Sequence, residues 1–127
     1  DDPAGVGTVE VIIVAVKAWQ LDDAIASMKP MVGTETVVLP LLNGVEAPSR
    51  LATAFGRERV LGGLCGILAH IERPGVIRHA GPEPRIVLGE LDNKRSLRIE
   101  RLLRALLDAG VPTEVPPAGP GADPPAP

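Results

Sequence analysis

The sequence predicts an α/β fold built on a short parallel sheet, and three observations carry that prediction. Two apolar, β-branched runs, Val9 to Val16 and Thr36 to Leu42, flank a segment whose apolar residues recur at the helical spacing. Roughly twenty residues join them, enough for the crossover that parallel strands require. Downstream, helical and strand patterns keep alternating, with Gly and Pro at their boundaries.

Val9 to Val16 is broken only by Glu10 and is too short to span a membrane, so it reads as a strand covered on both faces and central in its sheet. After Trp19 the period changes. Leu21, Ala24, Ile25 and Met28 fall at i, i+3, i+4 and i+7, and Pro30 with Gly33 ends that helix. Thr36 to Leu42 is the second strand. A strand–helix–strand crossover is nearly always right-handed, so the two strands run parallel and their carboxyl ends emerge at one sheet edge. Val45 to Phe55 places Pro48, Leu51, Ala52 and Phe55 at helical spacing with Gly56 as a stop, and Val60 to Ala69 returns to strand character. Val76 to His79 and Arg85 to Leu88, joined through Ala80-Gly81-Pro82-Glu83-Pro84, read as two short strands forming a hairpin. The last helix runs from Ser96 to Ala109 and is capped by Gly110. Its stripe of Ile99, Leu102, Leu103, Leu106 and Leu107 faces the core. Arg95, Arg98, Arg101 and Arg104, interleaved with Glu100 and Asp108, form a solvated face and not a nucleic-acid patch.

Composition agrees with this reading. The chain has 127 residues, 45% of them hydrophobic, and carries a net charge of −3; with one Trp, one Phe and no Tyr, its core falls to Val, Leu, Ile and Ala. No apolar stretch reaches the length of a membrane helix, and Asp1-Asp2-Pro3 opens neither a basic region nor a signal peptide, so a cytoplasmic address and no membrane partner are expected. The single cysteine, Cys65, cannot form an internal disulfide and reads as a small buried hydrophobe. His70 and His79 have no further ligands at a known spacing, so no metal site is expected. The end of the chain, PPAGPGADPPAP, has no bulky apolar residue to offset the entropy of ordering. The expected organisation is a domain over 1–115 and a disordered tail over 116–127.

The chemistry lies at the strand ends. Lys17 follows the first strand and Asn43-Gly44 the second, and in an open parallel sheet this is the edge where ligands bind. An ammonium pairs with phosphate or carboxylate, and a carboxamide both donates and accepts hydrogen bonds. A plain alternative stands beside this: a lysine at a strand end is commonly solvated, and Asn-Gly is a common turn. Trp19 either walls the same pocket or, as the favoured reading, packs on the crossover helix.

The motifs VAVKAWQ, LPLLNGV, AFGRERVLGG, ERPGVIRHAG and IVLGELD, in this order from about Asp1 to Val115, resemble those of the ketopantoate reductase family. The resemblance implies the second half of a Rossmann-like NADP-binding domain, followed by a short hairpin and a helix. It also implies reduction of the 2-keto acid ketopantoate to pantoate with NADPH, on the route to pantothenate. By the same resemblance Lys17, Asn43, Leu68 and Ala69 lie at the cofactor, within the loosely matched segment Ile67 to Ala69 for the last two, and Asn43 also contacts substrate.

The family's opening strand, GxGxxG turn and helix do not occur here. Gly5-Val6-Gly7 precedes a strand, and Gly62-Gly63-Leu64-Cys65-Gly66 has the wrong spacing and no helix after it. The family helix carrying a tryptophan and the general-acid lysine is not matched either; the chain runs instead into Pro116 to Pro127, as a shifted reading frame or a linker to a further domain would produce. The expectation is a fragment that is inactive alone and contains no catalytic residue, with an unpaired apolar edge on its first strand and hence self-association. Two alternatives remain open: a related reductase of another 2-keto acid, and a non-catalytic interaction module on the same scaffold.

Overall fold

The computed structural model describes residues 3–42 and 45–117. Its principal elements are β1 (Val9–Val14), α1 (Leu21–Met28), β2 (Val32–Pro40), α2 (Ala47–Phe55), β3 (Leu61–Arg73), β4 (Val76–Glu90), α3 (Leu97–Asp108) and β5 (Thr113–Glu114). The fold is therefore α/β, and β1 and β2 are parallel, as the crossover requires, with Val11 opposite Val37 and Val14 opposite Pro40. A parallel bridge from Val38 to Val60 sets the start of β3 beside β2. β3 then pairs antiparallel with β4, and β4 pairs parallel with β5.

Alternation along β2 divides the interior in two. Val38 faces Ile12, Val14, Leu21, Met28, Ala47, Leu51 and Val60, the layer under α1 and α2. Leu39 faces the other way, toward Leu61, Ile86, Leu88 and Ile99, with Leu102 and Leu106 of α3 packed alongside. Thus β2, and not β1, is the strand covered on both faces. β1 pairs only with β2 among the described residues, and Val11 and Ile13 remain 38% and 47% exposed.

Several boundaries differ from those expected. β2 starts at Val32, ahead of Thr36, because the buried Thr36 hydroxyl donates to the Val9 carbonyl (2.5 Å) and accepts from the Gly33 N–H (2.8 Å). These bonds hold the polar Gly33–Glu35 stretch against β1 through a register shift. The two short strands expected at 76–79 and 85–88 form no hairpin with each other; they are parts of one strand, β4, and the hairpin is β3–β4. Its turn is Pro74-Gly75, where Gly75 adopts φ +79°, a left-handed conformation that favours glycine. The intervening Gly81, Pro82 and Pro84 do not end the strand, because residues 81–84 fall in a bulge between the pairs Gly66–Arg85 and Leu68–Ala80, where a missing N–H costs no ladder bond.

At α3 the Ser96 hydroxyl accepts the Ile99 N–H (3.2 Å), a standard N-cap, and Gly110 follows the helix at φ +82°. The arginine face is not uniformly solvated. Arg98 turns toward the end of β4, and Leu107, expected in the core, is 48% exposed. β5 has no counterpart in the sequence reading. The residues from 118 onward, most of the expected tail, lie outside the described residues, and among those described no helix is long and apolar enough to cross a membrane.

Candidate functional site at the carboxyl ends of the strands

The ends of β1 and β2 are held level by the ladder pair Val14–Pro40 and by the Leu41 N–H, which donates to the Val14 carbonyl (2.9 Å). Three residues beyond β1, Lys17 sits in extended conformation (φ −71°, ψ 152°) and opens a tight turn. Gln20 closes that turn from both sides: its side-chain Oε1 accepts the Lys17 N–H (3.0 Å), and its own N–H donates to the Lys17 carbonyl (2.8 Å). Gln20 is thus a positioning residue that the sequence reading missed; the signal was an amide side chain at the third place after the turn's first residue. With its backbone fixed, the exposed Lys17 ammonium makes no hydrogen bond or ion pair among the described residues.

Between this turn and the start of α2 lies a cleft of about 270 Å³ with an apolar lining that includes Ala18, Leu21, Leu42, Val45 and Ala47. Arg50 lines it too, and its guanidinium is paired with the Asp22 carboxylate, tying α2 to α1. Val45 is 91% exposed and Trp19 81% exposed. The exposure of Trp19 overturns the favoured expectation that it packs on the crossover helix: the helix places Leu21 and Met28 inward, and the turn at Lys17–Gln20 leaves the indole outside. Asn43, the second polar residue of the expected site, and Gly44 lie outside the described residues.

β3 runs parallel to β2 at Val60, so its far end projects past the carboxyl ends of β1 and β2, on the side where Lys17 stands. Gly63 is level with Pro40, and an added Cβ there would lie 2.5 Å from the Pro40 carbonyl oxygen and 2.7 Å from Leu39 Cδ1. The glycine is needed for close strand packing, a role different from the phosphate contact that a glycine-rich run suggests. Leu68 and Ala69 lie farther out on the arm, opposite Ala80 and His79, with Ala69 about 20 Å beyond the Gly63 level at the usual rise per residue. Leu68's side chain lies outside the described residues. The structure therefore puts Lys17 and the strand end preceding Asn43 at one edge, and Leu68 and Ala69 on the same side of the sheet but on a separate projection.

An electrostatic cluster lies where the start of α3 meets the end of β4. Arg98 donates through Nε and Nη2 to both oxygens of Glu90 (2.7 and 2.6 Å) and through Nη1 to the Glu58 carbonyl (2.5 Å), and the Ser96 hydroxyl donates to Glu90 (2.7 Å). Burial alone would push the Glu90 carboxyl upward; the bonds from Arg98 and Ser96 and the Arg98 charge outweigh it and hold the group below its ordinary range. The bonds to Glu90 raise Arg98 in turn. This cluster anchors α3 and offers no free group for chemistry. Among the described residues no three His, Cys, Asp or Glu side chains converge as metal ligands. Cys65 is half-buried beside the core under α3, and the side chain of His70 lies outside the described residues.

Residues 2–93 match the family model described as "Ketopantoate reductase PanE/ApbA". The chain is 39% identical over 109 residues to the "Uncharacterized oxidoreductase YkpB" of Bacillus subtilis, a match covering 86% of this chain and 35% of that protein. Among solved structures, 2-dehydropantoate 2-reductase from Geobacter metallireducens superposes with a TM-score of 0.80 at 32% identity, covering 90% of this chain and 38% of that one. The 2-dehydropantoate 2-reductase from Porphyromonas gingivalis gives 0.81 at 31% identity, covering 91% and 40%. The chain thus spans about a third of the length of the curated relatives it matches.

Proposed function

The chain belongs to the ketopantoate reductase family, and on that premise we propose that it forms the second half of a Rossmann-like cofactor domain, over 1–115, in an NADPH-dependent reductase of a 2-keto acid. The proposed reaction is ketopantoate to pantoate. The observation that carries the reading is the exposed Lys17 ammonium, without a partner among the described residues, on a backbone held by Gln20 at the carboxyl edge of a parallel pair beside an apolar cleft.

The residues present fit part of the cofactor. Lys17 offers a cation at the sheet edge, the cleft offers apolar surface, and the β3 arm offers strand backbone at Leu68 and Ala69. No glycine turn in this sequence suits the pyrophosphate: Gly62, Gly63 and Gly66 lie within β3, and Gly63 is packed on Pro40. When bound, NADPH supplies the hydride that reduces the ketone carbon. In this reading Lys17 holds negative charge of the cofactor or keto acid, and Asn43, assigned by resemblance, orients nicotinamide and substrate through its carboxamide. The proton for the alcohol comes from the family lysine, which no motif of this sequence matches, so the chain alone is proposed to be inactive.

A related reductase of another 2-keto acid is the second reading. It stays open because the Bacillus relative, at 39% identity, is an uncharacterized oxidoreductase whose name gives no substrate. A chimera tests both: residues 1–115 replace the matching segment of the Bacillus protein, and NADPH oxidation is followed with a panel of 2-keto acids. Turnover is expected, with Lys17→Ala raising the KM for NADPH about tenfold, a loss of about 1.4 kcal/mol. A folded chimera that neither binds NADPH nor turns over any keto acid would favour the non-catalytic module, and indifference to Lys17→Ala would remove the role given to that residue.

A further inference from the structure

Gln20 does more at its turn than hold Lys17. A backbone N–H only donates, so the carboxamide atom that meets the Lys17 N–H at 3.0 Å is the oxygen, and the orientation of the amide is fixed. The other half of the group, the Nε2 amino, carries two protons and makes no hydrogen bond among the described residues. It is not sealed inside the protein. No buried side-chain nitrogen or oxygen among the described residues lacks a partner, and Gln20 is half-buried, so its unpartnered Nε2 reaches solvent. A carboxamide ordinarily offers a donor and an acceptor together; here the acceptor is engaged by the backbone and the donor faces outward. Lys17, three residues earlier, adds an ammonium that only donates. The two side chains of the turn therefore present donors alone.

The surroundings limit what these donors suit. The turn borders the cleft of about 270 Å³ through Ala18 and Leu21, and the polar residues of that cleft are Glu46 and Arg50. Arg50 already has a carboxylate partner in Asp22, and Glu46 is acidic, so an anionic group gains more at the turn than in the cleft. The cleft is apolar along Leu21, Leu42, Val45 and Ala47, and it is smaller than the pocket of a drug-sized ligand. Resting on the reading above that this edge takes an anionic ligand, we propose that Gln20 contacts the ligand itself. Its Nε2 and the Lys17 ammonium donate together to one oxyanion, a carboxylate or a phosphate, and the cleft takes a short apolar body attached to it. A lysine alone is a point charge that attracts without orienting; a second donor on a fixed backbone binds a separate oxygen and sets the angle of the group. Gln20 is thus a specificity-determining residue as well as a positioning one, because an uncharged relative of the ligand offers the pair a weaker acceptor.

Gln20 is the only glutamine of the 127-residue chain, so labelling glutamine with ¹⁵N at the side-chain amide gives a single signal. The chain is titrated with 2-oxobutanoate, its methyl ester and inorganic phosphate, each up to about 50 mM, a range that captures weak binding. A saturable downfield shift of the Nε2 protons is expected with an anion and not with the ester; a response to 2-oxobutanoate assigns the oxyanion to a small acid, and a response to phosphate alone assigns it to a phosphate group. Gln20→Glu keeps an oxygen for the Lys17 N–H and removes the donor, so it is expected to weaken anion binding about tenfold while leaving exchange of the Lys17 amide unchanged. A Gln20 of purely structural role predicts neither effect. Silence of the Nε2 protons toward both anions overturns the proposal, as does an equal response to the ester. Binding that Lys17→Ala weakens and Gln20→Glu leaves intact overturns the Gln20 contact alone and keeps the role of Lys17, whereas binding indifferent to Lys17→Ala removes that role and the pair with it. The amide signal of the unaltered chain decides the matter even where a variant fails to fold.

Discussion

Substituting Gly63 by alanine adds one methyl group where β3 closely approaches the backbone at the end of β2. Its Cβ would lie 2.5 Å from the Pro40 carbonyl oxygen, 2.7 Å from Leu39 Cδ1 and 3.0 Å from Leu41 Cδ2. The first neighbour is backbone at the end of β2, and Leu39 is fully buried, so neither yields by rotating a free side chain. Overpacking of this kind costs about 1–3 kcal/mol. Against it stands the stiffening of the unfolded chain on replacing glycine, about 0.4–1 kcal/mol. Gly89 provides the control, since a Cβ there meets nothing within 4 Å and its φ is not left-handed. Gly89→Ala is therefore expected to be neutral or slightly stabilising, and Gly63→Ala to fall about 2 kcal/mol below it. At a urea slope of about 1–3 kcal/mol/M, that difference separates the two midpoints by about 1 M. Urea melts followed by far-UV circular dichroism read it directly. The strain also falls on Pro40 and Leu41, whose N–H bond to Val14 levels the two strand ends, so faster exchange of the Leu41 amide is expected in Gly63→Ala. Coincident melts for the two variants would refute the view that Gly63 serves close packing of β3 on β2.

Two further outcomes follow from other contacts. The folded-state pKa of Glu90 lies below its unfolded value, so its stabilisation is complete above about pH 4.5 and is lost as pH falls through the folded value. Glu90→Gln is expected to cost about 1 kcal/mol at neutral pH, an estimate reduced because Arg98 is a third exposed, and to flatten the loss of stability below pH 4.5; parallel acid melts of the two proteins that keep the same slope would contradict this. Trp19 is the only tryptophan in a chain without tyrosine, and it is 81% exposed. Its fluorescence is expected to be quenched by acrylamide nearly as well in the folded as in the urea-unfolded chain, and a blue-shifted, shielded emission would place the indole against protein.

What could be read in advance was local. Leu21, Met28, Leu51 and Ile99 went inward as their helical spacing required, and Ser96, Gly56 and Gly110 bounded helices as their side chains or their lack of one dictate. The parallel pairing of β1 and β2 also followed, because a crossover helix permits little else. The errors came where partners are distant in sequence. The β3–β4 hairpin pairs residues up to 29 positions apart, Leu61 with Glu90, and its Pro74-Gly75 turn was passed over in favour of the proline-rich segment farther on. β5 has two residues and exists only because α3 returns the chain to β4. Arg98 looked solvated by its helical neighbours, and only the end of β4 supplies the carboxylate that turns it inward.

The candidate site was legible as a place more than as a set of contacts. Strand ends are marked in sequence by the change from apolar to polar residues, and Lys17 stands where that change predicts. Gln20 was overlooked although its amide stands at the third place after Lys17, and the distance between Lys17 and the β3 arm was not legible, because it depends on how far β3 outruns β2. These two features set what the proposed site can hold. A small acid could engage Lys17 and the cleft alone, whereas contact with Ala69 as well requires either a long ligand or bending of the arm, whose ladder is interrupted at Gly66/Leu68 on the way out.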